Sequence, residues 1–576
     1  MTEPQPDLVI RGGIVVDGHG GPEREADVAI VGDTISAVGR VEQIGRREID
    51  AVGSLVTPGW VDVHTHYDGQ ATWDRQLAPS SVHGVTTVVM GNCGVGFAPV
   101  HGRDHQRLIE LMEGVEDIPG AALHEGLSWN WSTFGEYLDA VDSIPHDIDV
   151  AAQVPHGALR LFVMGARGAD GDRATPDEIE AMAELAKEAI EAGALGFTTS
   201  RTLNHRTSRG DPTPTLKAAR EELVGIARGV GRAGTGVLQL VSDFIDVADE
   251  FGNLRAMVDA SSRPASFTLV QSPRDPDGYC GMLDLLDEAN ADGLEIRGQV
   301  ATRAVGLLLG LQGTLNPFMA NPVYQEVADL DVPARVAVMG DPAFKARLLA
   351  ADEGQRDKSK VGGGIVRMFE NMFVLGDPPD YEPDPSTNVA AQAGRIGREP
   401  LEFVYDLLLR DVGRLFLYIP ALNYVDGRLD AVREMLMHPR TIPGLSDGGA
   451  HVGTISDGSF PTTLLTHWCR DRNGEQLTVP FVVQAQCRDT AWALGLRDRG
   501  VLAPGYKADV NVIDFERLSI SSPEMHFDLP AGGRRLLQGA TGYLHTIVSG
   551  VPTYESGQST GEFPGRLVRG ARSIPS

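Results

Sequence analysis

Gly59-Trp60-Val61-Asp62-Val63-His64-Thr65-His66 and Ile442-Pro443-Gly444-Leu445-Ser446-Asp447-Gly448-Gly449-Ala450-His451 are apolar, β-type runs that turn polar at their C-terminal ends. Residues two apart on a strand share a face, so His64 and His66 project the same way. Six more runs have this form: GVTTVVMGNCG (84–94), DVAAQVPHG (149–157), GALGFTTS (193–200), GVLQLVSD (236–243), SFTLVQSP (266–273) and EIRGQVATR (295–303). Stretches of helical periodicity alternate with them. In TPDEIEAMAELAKEAIEAG acidic residues open the helix, apolar positions recur every three or four residues, and Gly193 closes it. Eight strands alternating with helices predict an α/β chain with a (β/α)8 TIM-like barrel over 57–490, whose functional groups lie at the C-terminal strand ends. The stretch from about 304 to 440 is long for one connection and is expected to hold inserted helices over the mouth.

Outside the barrel the pattern shortens. Residues 1–56 contain the β runs Leu8 to Ile10, Ile14 to Val16, Asp27 to Val31 and Thr34 to Val38, separated by glycine-rich turns. In 491–576, ADVNVIDFERL and GYLHTIVSGVPTYESG repeat that style. One small β-sandwich domain formed from both chain termini is the expectation.

Of the 576 residues, 42% are hydrophobic, enough for a large core and an accessory domain. Fifty Lys and Arg face 79 Asp and Glu, and the net charge of −29 repels nucleic-acid phosphates and anionic membranes. A small-molecule partner is expected, with no nucleic acid and no membrane; homo-oligomerisation stays open. The first residues lack a basic, then apolar, leader, and no apolar run reaches spanning length, so a cytoplasmic protein is expected. Cys93, Cys280, Cys469 and Cys487 show no close pairing, which fits a reduced compartment.

The chemistry concentrates at the strand ends. A lone His-x-His is weak, but Asp447 at the end of the eighth run brings a carboxylate beside the two imidazoles of the first, and these are ligands a divalent cation takes. Cys93, in the tight turn Gly91-Asn92-Cys93-Gly94, reads as a further ligand, or as buried packing. A bound divalent metal lowers the pKa of water towards ~7 and polarises a carbonyl. Asp447 would then act as general base and acid, or as a ligand alone. His451 reaches the site or caps a turn, and His156 lines the pocket. Arg201 with His205, Arg274 and Arg303 are candidate anchors for a substrate carboxylate, or ordinary salt-bridge partners. Asp457, Tyr418, Tyr424, Phe460 and Trp468 shape a pocket or belong to the core.

Taken together, PGWVDVHTHYDGQ, GVTTVVMGNCGVGFAP, SDGGAH and VLAPGYKADVNVID resemble the amidohydrolase superfamily, specifically its D-aminoacylase (N-acyl-D-amino-acid deacylase) branch, over nearly the whole chain. The resemblance implies a barrel with two zinc positions: His64, His66 and Asp447 match the ligands of one, and Cys93 matches the cysteine facing both. The family's histidines at the fifth and sixth strand ends hold the second zinc, whereas this chain has Gln239 and Gln271 in those segments. Glutamine is a poor zinc donor, so one principal metal, zinc, is expected, with both glutamines hydrogen-bonding near the water or substrate, or satisfying buried backbone. The activity implied is metal-dependent hydrolysis of a C–N amide bond. Cyclic amides (lactams or imides) and other acylated amines are alternative substrates, and a catalytically silent binding or assembly protein is the alternative of another class.

Overall fold

The computed structural model describes residues 5–351 and 364–575. The expected terminal domain and insert therefore include short pieces, 1–4, 352–363 and 576, that lie outside the described residues.

All eight apolar runs contain parallel strands: β1 (Trp60–Asp62), β2 (Val85–Met90), β3 (Asp149–Ala152, continued by Val154–Pro155), β4 (Gly196–Arg201), β5 (Val237–Ser242), β6 (Ala265–Leu269), β7 (Ile296–Ala301) and β8 (Thr441–Gly444). They neighbour one another in chain order, as β1–β2–β3 in one sheet and from the end of β3 to β8 in another. β2 is buried along its whole length, as a parallel strand covered on both faces must be. Beyond their ends β8 and β1 meet: the backbone N–H of His66 donates to Gly448 O at 2.8 Å, and that of Asp447 to His64 O at 3.1 Å. β3 is split because the chain's tail takes its edge. Val150 donates to Arg566 O at 3.0 Å and Val568 donates back to Val150 O at 2.7 Å, and beyond the tail the edge turns to β4, with Leu195 donating to Ala152 O at 2.8 Å and Val154–Pro155 pairing with Phe197 and Thr198.

Connecting helices follow the sequence pattern. Pro176–Ala192 opens with a reciprocal capping box between Thr175 and Glu178, has Pro176 in its first turn, and ends at Gly193 with φ +119°.

Both termini build one nine-stranded sheet. Its N-terminal strands are Leu8–Val15, Arg24–Val31, Thr34–Gly39, Arg47–Asp50 and Leu55–Pro58; Val510–Ile513 pairs with Leu55–Pro58 and leads on to Tyr543–Val548, Val551–Glu555 and Gln558–Ser559. The two expected runs Leu8 to Ile10 and Ile14 to Val16 fall largely in a single strand, whose pairing slips between Ile10 and Gly13. Its far edge is shared, parallel, by Arg47–Asp50 and then Leu55–Pro58, so the sheet forks around a core of Ile10, Val28, Ile49, Val56, Val510 and Ile547.

The insert carries helices such as Val332–Met339, Pro342–Ala350 and Pro400–Leu408. It also has an antiparallel sheet absent from the sequence reading, Val305–Leu309 and Phe373–Val374 on either side of Leu417–Leu422. Its own core includes Leu309, Phe318, Tyr324, Leu348, Tyr405 and Ile419. Among the described residues no helix is long and apolar enough to cross a membrane, and all four cysteines are free.

Candidate metal centre

Four of the expected donors converge where β1, β2 and β8 end. His64 Nε2 lies 3.3 Å from Cys93 Sγ and 3.4 Å from Asp447 Oδ1, and His66 Nε2 is 3.6 Å from the same oxygen. Ligand atoms of His64, His66 and Cys93 all lie within 4.8 Å of one another. Such spacings suit groups sharing one cation at 2.0–2.3 Å each.

The backbone is shaped for this convergence. Gly91 has φ +83°, and a Cβ there would stand 2.1 Å from the Gln153 carbonyl oxygen, so only glycine fits. Asn92 donates from Nδ2 to Thr65 O (3.1 Å) and Val89 O (2.8 Å), tying the turn to the exit of β1. Cys93, Asp447 and His451 hold positive φ of 55°, 50° and 49°, conformations that non-glycine residues keep where surroundings enforce them. Asp62 accepts from the His64 N–H at 3.3 Å and from the Ser446 hydroxyl, bracing β1 against β8. Burial pushes the Asp62 and Asp68 carboxyls up to about 7.

Electrostatics leaves the donors ready for a cation. Burial holds His64 and His66 below the ordinary imidazole range, so both are neutral at pH 7. Burial alone would raise the Asp447 carboxyl, but the imidazoles of His66, His64 and His451 outweigh it and keep the group ionised. Burial, with Glu116 and Asp447 nearby, pushes the Cys93 thiol well up, so a thiolate here needs a positive charge beside it. Neither ring nitrogen of His66 has a hydrogen-bond partner. Two imidazoles, a thiol and a carboxylate in this state fit a zinc-type ion.

The structure places the other candidates variously. Gln239 sits behind the metal face of His64, its Nε2 3.0 Å from His64 Nδ1. The Gln271 side chain turns to backbone, its Nε2 donating to Pro276 O and its Oε1 accepting from the Val425 N–H, while its own N–H donates to Asn423 Oδ1. His451 joins the cluster, its Nε2 4.0 Å from Asp447 Oδ2. His205, anchored on Ser200 Oγ at 3.0 Å, faces it as well; burial first, with the imidazoles of His451 and His66 nearby, pushes its own imidazole down to about 3.

The remaining candidates are committed elsewhere. His156 is buried between Thr199 (2.8 Å) and Glu222 (2.9 Å). Arg201 is taken by Glu250 at 2.8 Å, and Arg274 is exposed on the loop after β6. Arg303 is wholly buried, paired with Asp457 at 3.0 Å and stacked on Tyr381 at 3.4 Å from the ring centre, with Phe460 further off. Arg201 and Arg303 serve as the salt-bridge partners that charge alone predicts, while the backbone N–H of Arg274 donates to Ser272 Oγ. Tyr418, Tyr424 and Trp468 are core residues whose polar tips reach the carbonyls of Ala304, Pro383 and Thr302.

Two residues at the centre were not singled out from sequence. Gln299 on β7 places its Oε1 2.8 Å from His64 Nδ1, and its own Nε2 donates to Ser266 Oγ at 2.9 Å, which turns the carbonyl oxygen towards the ring; an Nδ1–H held there leaves Nε2 of His64 free to ligate. Its position in the polar end of EIRGQVATR was the available signal. Glu116, at the end of the helix His105–Glu116, lies 3.2 Å from His66 Nδ1, and nothing in the helical pattern distinguishes it.

A parallel α/β fold with imidazoles, a thiol and a carboxylate gathered at its C-terminal strand ends defines a metallohydrolase-type protein. The model of the amidohydrolase family matches residues 47–554. D-aminoacylase of Alcaligenes xylosoxydans xylosoxydans is 34% identical over 579 residues, covering 99% of each chain. The fold also matches a solved D-aminoacylase with a binuclear metal centre (TM-score 0.65, 24% identity, 98% of this chain and 100% of that one). A second match is the N-acyl-D-glutamate deacylase of Bordetella bronchiseptica bound to zinc and a phosphonate inhibitor (TM-score 0.64, 23% identity, 98% of this chain and 100% of that one). The chain belongs to the amidohydrolase family, in its D-aminoacylase branch, and is a hydrolase of carbon–nitrogen bonds other than peptide bonds.

Proposed function

We propose that this protein is a zinc-dependent deacylase of N-acylated amino acids, with one principal metal held by His64, His66, Asp447 and Cys93. The observation that carries the reading is the approach of these four donors to one another, with neither ring nitrogen of His66 hydrogen-bonded. The proposal includes a closed (β/α)8 barrel over 57–490 interrupted by the insert, with 1–56 and 491–576 forming an accessory sandwich. When bound, the cation supplies Lewis acidity to a carbonyl and to water.

The protein's own groups do the rest. Asp447, ionised at neutral pH and the most accessible of the four, receives a proton from the attacking water and returns it to the departing amine. Gln299 fixes the tautomer of His64. His205 and His451 stay neutral and line the approach, where they hydrogen-bond the substrate's polar groups.

The test combines elemental analysis of the purified protein with a panel of N-acyl-D- and N-acyl-L-amino acids and cyclic amides. About one equivalent of zinc is expected, with release of free amino acid from acylated substrates. Asp447→Asn should lower kcat/KM about 10²–10⁴-fold, and His64→Ala should lose the metal. Ring opening of cyclic amides alone, or metal binding indifferent to His64→Ala, would reject the reading.

A further inference from the structure

Glu116 is a buried carboxylate, 1% exposed, and neither of its oxygens has a hydrogen-bond partner. Its nearest basic groups are histidines: Oε1 lies 3.2 Å from His66 Nδ1, and Oε2 lies 3.7 Å from His451 Nε2, while Asp447 and Asp68 are close enough to oppose a negative charge on it. A carboxyl group stripped of water and left without a donor is costly to ionise, so an ionised Glu116 calls for a positively polarised group beside it. His66 Nδ1 is the nearest atom that can become one. It too is buried without a partner, and it is the nitrogen on the far side of the ring from Asp447.

The position of Glu116 is not a matter of a flexible side chain. The following residue, Asp117, ends the helix with φ +55° and is hydrogen-bonded on two sides. Its carboxylate accepts from the Gly453 N–H at 3.2 Å, in the loop after β8, and from Thr314 Oγ1 at 2.9 Å, in the insert. The helix end is therefore tied to the loop that carries Asp447 and His451, and Glu116 is held against the back of His66.

We propose that Glu116 is a positioning residue of the metal centre: it accepts the Nδ1–H of His66, so presenting Nε2 as ligand, and it couples that ring to His451. The inference rests on the metal-centre reading above and adds a carboxylate that the strand-end donor set does not contain. Ligating imidazoles held in this way gain basicity and lose rotational freedom, which is how such a partner strengthens metal binding.

The experiment measures zinc affinity by chelator competition and the visible spectrum of the cobalt-substituted protein, for wild type, Glu116→Gln, Glu116→Ala and His64→Ala, alongside the melting temperature of each metal-free form. Glu116→Ala should bind zinc about 10–100-fold more weakly and show a shifted cobalt spectrum. Glu116→Gln, whose amide oxygen still accepts Nδ1–H, should recover much of the affinity while its metal-free form melts like wild type. Affinity and spectrum unchanged in both Glu116 variants, with His64→Ala impaired, would overturn this inference and leave the centre standing. Metal binding indifferent to His64→Ala would instead remove the centre itself.

Discussion

Arg303 and Asp457 are the clearest case of residues whose chemistry is internal. The guanidinium donates to Ser459 Oγ (3.0 Å), Thr463 Oγ1 (3.1 Å), the Ser456 carbonyl (2.7 Å) and Asp457 (3.0 Å), all out of water. Removing one partner of a buried ion pair leaves the other uncompensated. Asp457→Ala should therefore lower unfolding stability by about 3–5 kcal/mol while zinc content stays at the wild-type level. Denaturant midpoints and elemental analysis check both halves. A variant as stable as wild type would mean that the three neutral acceptors suffice for Arg303.

The turn Gly91–Gly94 shows what one short element contributes. It must pass under the Gln153 carbonyl, anchor on Thr65 and Val89, and present Cys93 sideways to two imidazoles from another strand. Gly91→Ala meets both a positive φ and a backbone contact that cannot yield, each a strain of about 1–3 kcal/mol. The expected outcome is a lower melting temperature together with weakened zinc retention, since relief of the clash moves Cys93. If zinc retention survives the loss of stability, Cys93 is packing material and not a ligand.

The assembled molecule joins segments far apart in the chain, and some of those joints respond to pH. His83 is completely buried, its Nδ1 2.8 Å from Thr462 Oγ1 and its Nε2 2.9 Å from the Gln538 carbonyl, so it links the entry to β2 with the helix Phe460–Thr463 and the C-terminal region. Burial pushes its imidazole down to about 4. The folded protein refuses a proton that the unfolded chain accepts between about pH 6.5 and 4, so this group removes stability as pH falls through that window and none above it. The full effect is on the order of 3 kcal/mol. Unfolding midpoints of wild type and His83→Gln at pH 7.5 and 5 should differ in slope, the variant losing less on acidification; equal slopes would show that His83 is not the responsible group.

Much of this protein is written locally. Alternation of apolar strands and amphipathic helices, the Thr175–Glu178 cap with Gly193, and polar residues at the ends of apolar runs all depend on neighbours a few positions apart, so the eight strands, and His64, His66, Cys93 and Asp447 as candidate donors that the fold brings near one another, could be read from local pattern. What required the folded chain were contacts between segments with no common periodicity. Glu116 looks like any acidic helical residue until the helix end is packed behind His66, Arg303 reads as a substrate anchor until Asp457 claims it, and the break in β3 has no cause until the tail arrives more than four hundred residues later. Local pattern sets which elements form and which way their ends face; packing in three dimensions decides which buried charges meet, because an ion pair or a ligand shell is an interaction of distance and not of sequence spacing.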